Sequence, residues 1–286
     1  LPFTGLLVKL SCKIVKEDEN AATQYPELAA LDRKLLISPV LALSQVTKSV
    51  AEMAKAARDN VTLSLEQFGG HDEQRTEIIN SREEQIDRFT DNAENYLIEL
   101  SHGIESEREN NQINVLMQCT PNIERIGDYA TNFDEMSKKM ADSGLNFSEQ
   151  AKKELVLLGD AVKEILRLTV DALEKDSEST ARRIEPLEQV IDDMVRMLKN
   201  NHSGRLRKGQ CSIDAGLVFM DLLTHLERTA DQCSNIALLV LGKNNAAIMN
   251  NYHNYIAELH AGDDQSYVAE HKNRREQYIT PLKDNQ

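Results

Sequence analysis

Two stretches of this chain, about a hundred residues apart, carry the same polar signature, Glu-Arg-x-x-Asp-x-x-x-Asn. The first sets Glu124, Arg125, Asp128 and Asn132 in register; the second sets Glu227, Arg228, Asp231 and Asn235. On a helix, residues four apart lie on one face, so Glu, Asp and Asn form a row twice. A second matched pair lies upstream of these rows. Ile79, Glu83, Ile86 and Asp87 repeat as Ile184, Glu188, Ile191 and Asp192, again giving Glu-x-x-x-Asp. In both, Glu takes a slot of an apolar line. A charge on a buried line costs several kcal/mol unless it is paired. Two carboxylates facing two more across a bundle cannot all ionise without positive charge between them. The chemistry indicated is cation capture by hard oxygen ligands, which suits iron, manganese, magnesium or calcium, and zinc less comfortably.

Rival readings come from the same residues. With 47 acids in 286 residues, acid pairs four apart also arise on solvated faces. Repetition at matching offsets, with Arg after each motif Glu and Asn four beyond each motif Asp, separates these rows from that background. A second rival is internal ion pairing by Arg82, Arg125, Arg183 and Arg228. A di-iron oxidase bundle would need Glu-x-x-His twice; the chain offers it at Glu99 and His102, near a helix end. His225 reads as an ordinary helix histidine. No nucleophile–base arrangement, glycine-rich phosphate loop or dinucleotide fingerprint is found, so a binding module is expected rather than an enzyme.

Long helices must position these rows. A helix from about Leu31 has an apolar line through Leu36, Val40, Leu43, Val50, Ala54, Ala57, Val61, Leu65 and Phe68, with Pro39 in its first turns and Gly69-Gly70 ending it. A second follows the cap residue Asp72 and exits at Gly103. A third runs from about Glu105 to Met140, with Pro121 predicted to kink it. Beyond Gly144 the layout repeats. One helix opens at Ser148, a second spans about Ser177 to Asn201, a basic turn covers 202–209, and a third spans about Cys211 to Gly242 along Leu217, Met220, Thr224, Glu227, Asp231, Leu238 and Leu241. The expected fold is all-α: a linker over 1–30, a three-helix repeat over 31–143, a second over 144–243, and a C-terminal extension over 244–286 with short helices near 249–261 and 264–278.

The absence of tryptophan, the 12 glycines and the 6 prolines favour helices over strands. A formal charge of −14 without a basic cluster argues against nucleic acid as partner and against an anionic lipid surface. Cysteines 12, 119, 211 and 233 have no CxxC spacing, which speaks against a thiolate zinc site and suits a reducing compartment. Leu1–Val15 is too short to span a membrane and lacks a signal-peptide layout, but would suit a tail leaving a membrane helix with Lys9, Lys13 and Lys16 on the cytoplasmic side.

The run Glu-Arg-Ile-Gly-Asp-Tyr-Ala-Thr-Asn at 124–132 closely resembles the signature of PhoU-like proteins. The run at 227–235 resembles it with Thr229, Ala230 and Cys233 in place of Ile, Gly and Ala. The resemblance covers about residues 31–243 as two tandem repeats. LPFTGLLVKL at the start, and Leu31 to Leu43, are similar to the exit of the last membrane segment and the beginning of the PhoU-like domain in bacterial sodium/phosphate cotransporters. This resemblance implies a regulatory module on the cytoplasmic side of the inner membrane, below a transporter domain of the same chain. It also implies multinuclear iron or zinc on Glu83, Asp87, Glu124 and Asp128, and on Glu188, Asp192, Glu227 and Asp231. Arg125, Asn132, Arg228 and Asn235 would support them. Inorganic phosphate and a second copy of the chain are further expected partners. A free-standing PhoU-like regulator, and a carboxylate-bridged metalloenzyme, are the alternatives.

Overall fold

A computed structural model describes Tyr25, Leu28 and residues 31–284; the linker expected over 1–30, with Cys12, lies almost wholly outside the described residues. After a 3-10 turn at Arg33–Ile37, the helices are α1 (Pro39–Glu66), α2 (Glu73–Ser101), α3 (Glu107–Asp142), α4 (Glu149–Glu174), the short α5 (Glu178–Ala181), α6 (Ile184–Arg207) and α7 (Ile213–Gly242). The extension adds α8 (Ala246–Asn250), α9 (Tyr252–Ala261) and α10 (Gln265–Asp284). There is no strand among the described residues.

Local chemistry sets the ends. Pro39 opens α1, where a missing N–H costs nothing. Asp72, Ser148 and Ser212 accept hydrogen bonds from the first turns of α2, α4 and α7. Gly209, at φ +66°, takes the left-handed conformation that closes the α6–α7 connection. Each repeat packs as a three-helix bundle, α1–α2–α3 and α4–α6–α7, and the two meet through α3 against α7 and α1 against α4. One continuous apolar core therefore runs through both, from Val46, Val50 and Leu97 to Ile165, Leu198 and Leu223. The extension lies along the second repeat, with α10 on α6 and α4. A polar seam fastens it: Arg274 donates to Glu164 at 2.7 Å, Arg183 to Glu270 at 3.2 Å and Arg182 to Tyr255 Oη at 3.2 Å, while Arg275 pairs with Asp193.

Several expectations shift. Residues 33–37 form a 3-10 turn instead of the start of a long helix, because Pro39 disfavours α conformation at the residue before it. The expected helix from Ser177 divides at Arg182–Arg183, and its second part runs on through the expected basic turn to Arg207. α10 reaches Asp284 rather than ending near 278. Val40 and Leu217, placed on apolar lines by spacing, are 64% and 59% exposed. In α7 the buried line instead runs through Val218, Phe219, Leu222, Leu226, Ala230, Cys233 and Ala237. The line through Glu227 and Asp231 is therefore the flank of the core face.

Candidate metal centres

The carboxylate rows are brought together by the bundles that carry them. In the first repeat α2 packs on α3, and oxygens of Glu83, Asp87 and Asp128 all lie within 4.8 Å of one another. In the second, α6 packs on α7 and the equivalent Glu188, Asp192 and Asp231 do the same. These six acids flank the core lines. The isoleucines on either side (79, 86, 184 and 191) are fully buried, whereas five of the acids are half-buried and Asp87 is exposed. Gly127 lets the helices of the first repeat close up, since a Cβ there would stand 3.3 Å from Ile86 Cδ1.

Glu124 and Glu227 stand outside these close triads. Glu124 is half-buried and feels Asp128 and Asp87, while Glu227 accepts from Lys199 Nζ at 2.9 Å. Arg125 and Arg228 are exposed and form no ion pair with a triad carboxylate among the described residues; their charge still offsets part of the repulsion at Asp128 and Asp231. Asn132 donates to the Asp128 backbone carbonyl at 2.9 Å, and Asn235 donates across the repeat junction to Asn122 Oδ1 at 3.4 Å. Both amides are thus engaged in helix contacts. Glu99, of the Glu99/His102 pair, sits with Arg33 at 3.0 Å. His225 packs against the rings of Tyr129 and Phe133, and burial lowers its pKa.

Crowded like charges leave an electrostatic signature. Loss of hydration, followed by the neighbouring Asp87 charge, pushes Glu83 up to about 7. In the second triad, burial and then Glu185 push Glu188 up to about 9. Burial and then Glu227 push Asp192 up to about 6. Asp128, Glu124 and Asp231 are raised as well, chiefly by burial. In each triad this crowding favours uptake of a proton or of a cation over full ionisation. The donor set fits a hard cation, being all oxygen, and Asp192 Oδ1 is buried without a hydrogen-bond partner. Such an ion would supply charge neutralisation and polarise whatever completes its coordination.

Sequence reasoning missed Glu185. It lies one turn before Glu188 and is 7% exposed. Its carboxylate accepts from Ser234 Oγ and meets His260 Nε2 of the extension at 2.9 Å. The matching position in the first repeat is Asn80, so the second site carries an additional buried acid. Its i,i+3 spacing to Glu188 was the available signal; the Ser234 and His260 partners lay 49 and 75 residues away.

A duplicated three-helix bundle with one carboxylate triad per repeat defines a class of helical protein. The chain belongs to the PhoU domain family, whose model matches residues 50–136 and 155–240, one match in each repeat. It is 26% identical over 133 residues to the "Phosphate-specific transport system accessory protein PhoU homolog 1" of Thermotoga maritima, a match covering 45% of this chain and 56% of that protein. It is 21% identical to the corresponding Clostridium acetobutylicum homolog, covering 70% of this chain and 93% of that protein. Among solved structures, the phosphate transport system regulatory protein PhoU from Streptococcus pneumoniae superposes with a TM-score of 0.65 at 19% identity, covering 73% of this chain and 98% of that one. PhoU from Pseudomonas aeruginosa gives 0.67 at 16%, covering 74% and 99%. At these identities the structural likeness shows the all-α fold.

Proposed function

We propose that this chain is a regulatory module of phosphate transport that holds metal cations on its two carboxylate triads. The observation that carries this is the pair of triads itself: three acids within 4.8 Å in each repeat, at matching positions. In the metal-free protein, repulsion and lost hydration work against the charged forms; a bound cation relieves both. Glu83, Asp87 and Asp128 would hold one ion or cluster, and Glu188, Asp192 and Asp231 the other, with Glu124 and Glu227 at their edges. Iron and zinc are favoured by the family resemblance, and manganese, magnesium and calcium by the oxygen donors.

The relatives named for phosphate transport supply the context. The similarity of Leu1–Leu10 and Leu31–Leu43 to bacterial sodium/phosphate cotransporters supports a reading in which the module lies on the cytoplasmic side of a transporter domain in the same chain. No helix among the described residues is long and apolar enough to cross a membrane. The module would act by binding, biasing the transporter between states through a helix face, and inorganic phosphate would reach it at open metal positions. Phosphate uptake by cells carrying the full-length gene tests this. Asp128→Asn with Asp231→Asn should alter how uptake responds to phosphate supply while protein abundance stays constant. Unchanged regulation in the double variant would refute the reading. A second reading, a free-standing regulator, is favoured by the near-full coverage of the solved PhoU chains; sequence preceding Leu1 separates the two.

A further inference from the structure

We propose that the cleft between the two repeats binds a small organic phosphate with a flat apolar body, of the nucleoside phosphate class. The cleft has a volume of about 850 Å³ and is lined by the end of α1, the first turn of α2, the end of α3, the connections that follow α1 and α3, α4 and α7. Ligand pockets of about 300–1,000 Å³ are usual, and junctions between structural units are a favoured place for them. None of the triad acids lines it.

One wall is aromatic. Phe68 and Phe147 stack with centroids 6.1 Å apart and planes inclined by 23°, and Phe219 backs Phe147 edge-on at 5.7 Å. Leu222 continues this apolar surface. A flat ring can lie against such a wall with offset stacking.

Around it the charge is arranged for an anion. Arg75 and Lys163 line the cleft and are half-buried. Neither has an ion pair or side-chain hydrogen bond among the described residues. By contrast, the half-buried Lys55 contacts Glu52 and Glu174, and Arg205 contacts Glu154. The two acids on the lining, Glu66 and Asp160, are exposed at the rim, as is Lys152, which pairs with Glu149 at 2.7 Å. His71 sits deeper, its Nδ1 3.5 Å from Ser137 Oγ. The half-buried full charges inside the cleft are therefore positive, in a chain whose formal charge is −14. A guanidinium that has lost water without gaining a partner is poised to take a phosphate, which it can grip with two donors.

The test is a titration of the full chain with mant-ADP, followed by fluorescence, in excess chelator so that no metal-bridged nucleotide forms at the triads. Saturable binding is expected, displaced by unlabelled ADP and far less well by inorganic phosphate. Arg75→Gln and Lys163→Gln should each weaken it about tenfold, the loss of one charge-assisted contact. Asp128→Asn with Asp231→Asn should leave it unchanged, which keeps this result separate from the metal reading. Thermal melts establish that each variant is folded. No saturable binding, equal affinity in both cation variants, or displacement by phosphate as effective as by ADP would each overturn the proposal.

Discussion

Replacing Glu188 with glutamine should stabilise the metal-free protein while removing a metal ligand. The carboxyl is driven from an ordinary 4.5 up to about 9 by lost hydration and by Glu185, Asp192, Asp231 and Glu227 around it. A carboxyl whose folded pKa is raised binds more protons in the native state than in the unfolded one. Its contribution is therefore fully favourable below about 4.5 and is lost as pH rises toward about 9. Each unit corresponds to about 1.4 kcal/mol, and water reaching a half-buried site reduces the total, leaving about 2–3 kcal/mol lost by pH 9. Glutamine keeps the shape and carries no charge, so it should restore that amount at pH 9 and change little at pH 4.5. The assay is urea unfolding in excess chelator across pH 4.5–9, comparing free energies for the native chain and Glu188→Gln. Stability that is flat with pH, or a Glu188→Gln variant weaker than the parent at pH 9, would show that the second triad is not a crowded, poorly hydrated site.

Other outcomes follow from neighbouring features. Because Glu83 titrates near 7 and Asp192 near 6, metal binding should release protons and tighten as pH rises from 6 to 8; calorimetry in buffers of different ionisation enthalpy measures this. Glu154, 1% exposed, accepts from Arg205 at 2.8–3.0 Å and from Asn201 at 2.9 Å. Glu154→Ala strands the buried guanidinium and should cost about 3–5 kcal/mol in urea unfolding. A Cβ at Gly216 would stand 2.8 Å from the His202 ring, so Gly216→Ala should cost about 1–3 kcal/mol unless the ring turns away, which a crystal structure of the variant would reveal.

How much of this was legible beforehand depended on range. Six long helices and their duplication were readable because each is written in local periodicity and caps, as with Asp72, Ser148 and the isoleucine pairs 79/86 and 184/191. The pairing of α2 with α3 and α6 with α7 made triads out of rows that spacing could only place on one face. Spacing could not tell the centre of a face from its flank. That is why Glu227 and Asp231 were read into the buried line of α7, which in fact passes through Leu226 and Ala230. It also could not rank the four acids of each repeat. Lys199, 28 residues before Glu227, draws that carboxylate to itself. Glu185 was marked in the sequence by its i,i+3 spacing to Glu188 alone; its other mark, a histidine from a helix beyond the repeats, comes only with the fold. The cleft cations, Arg75 and Lys163, lie 88 positions apart in the chain and meet through packing of the two repeats.

Metal stoichiometry of untagged protein, measured by elemental analysis after gel filtration, tests the central claim most directly. The account predicts bound metal in the parent chain, loss of one site's complement in Asp128→Asn and of the other's in Asp231→Asn, and none in the double variant. Metal-free protein after reconstitution with iron, zinc and manganese, or metal retained by the folded double variant, would contradict it.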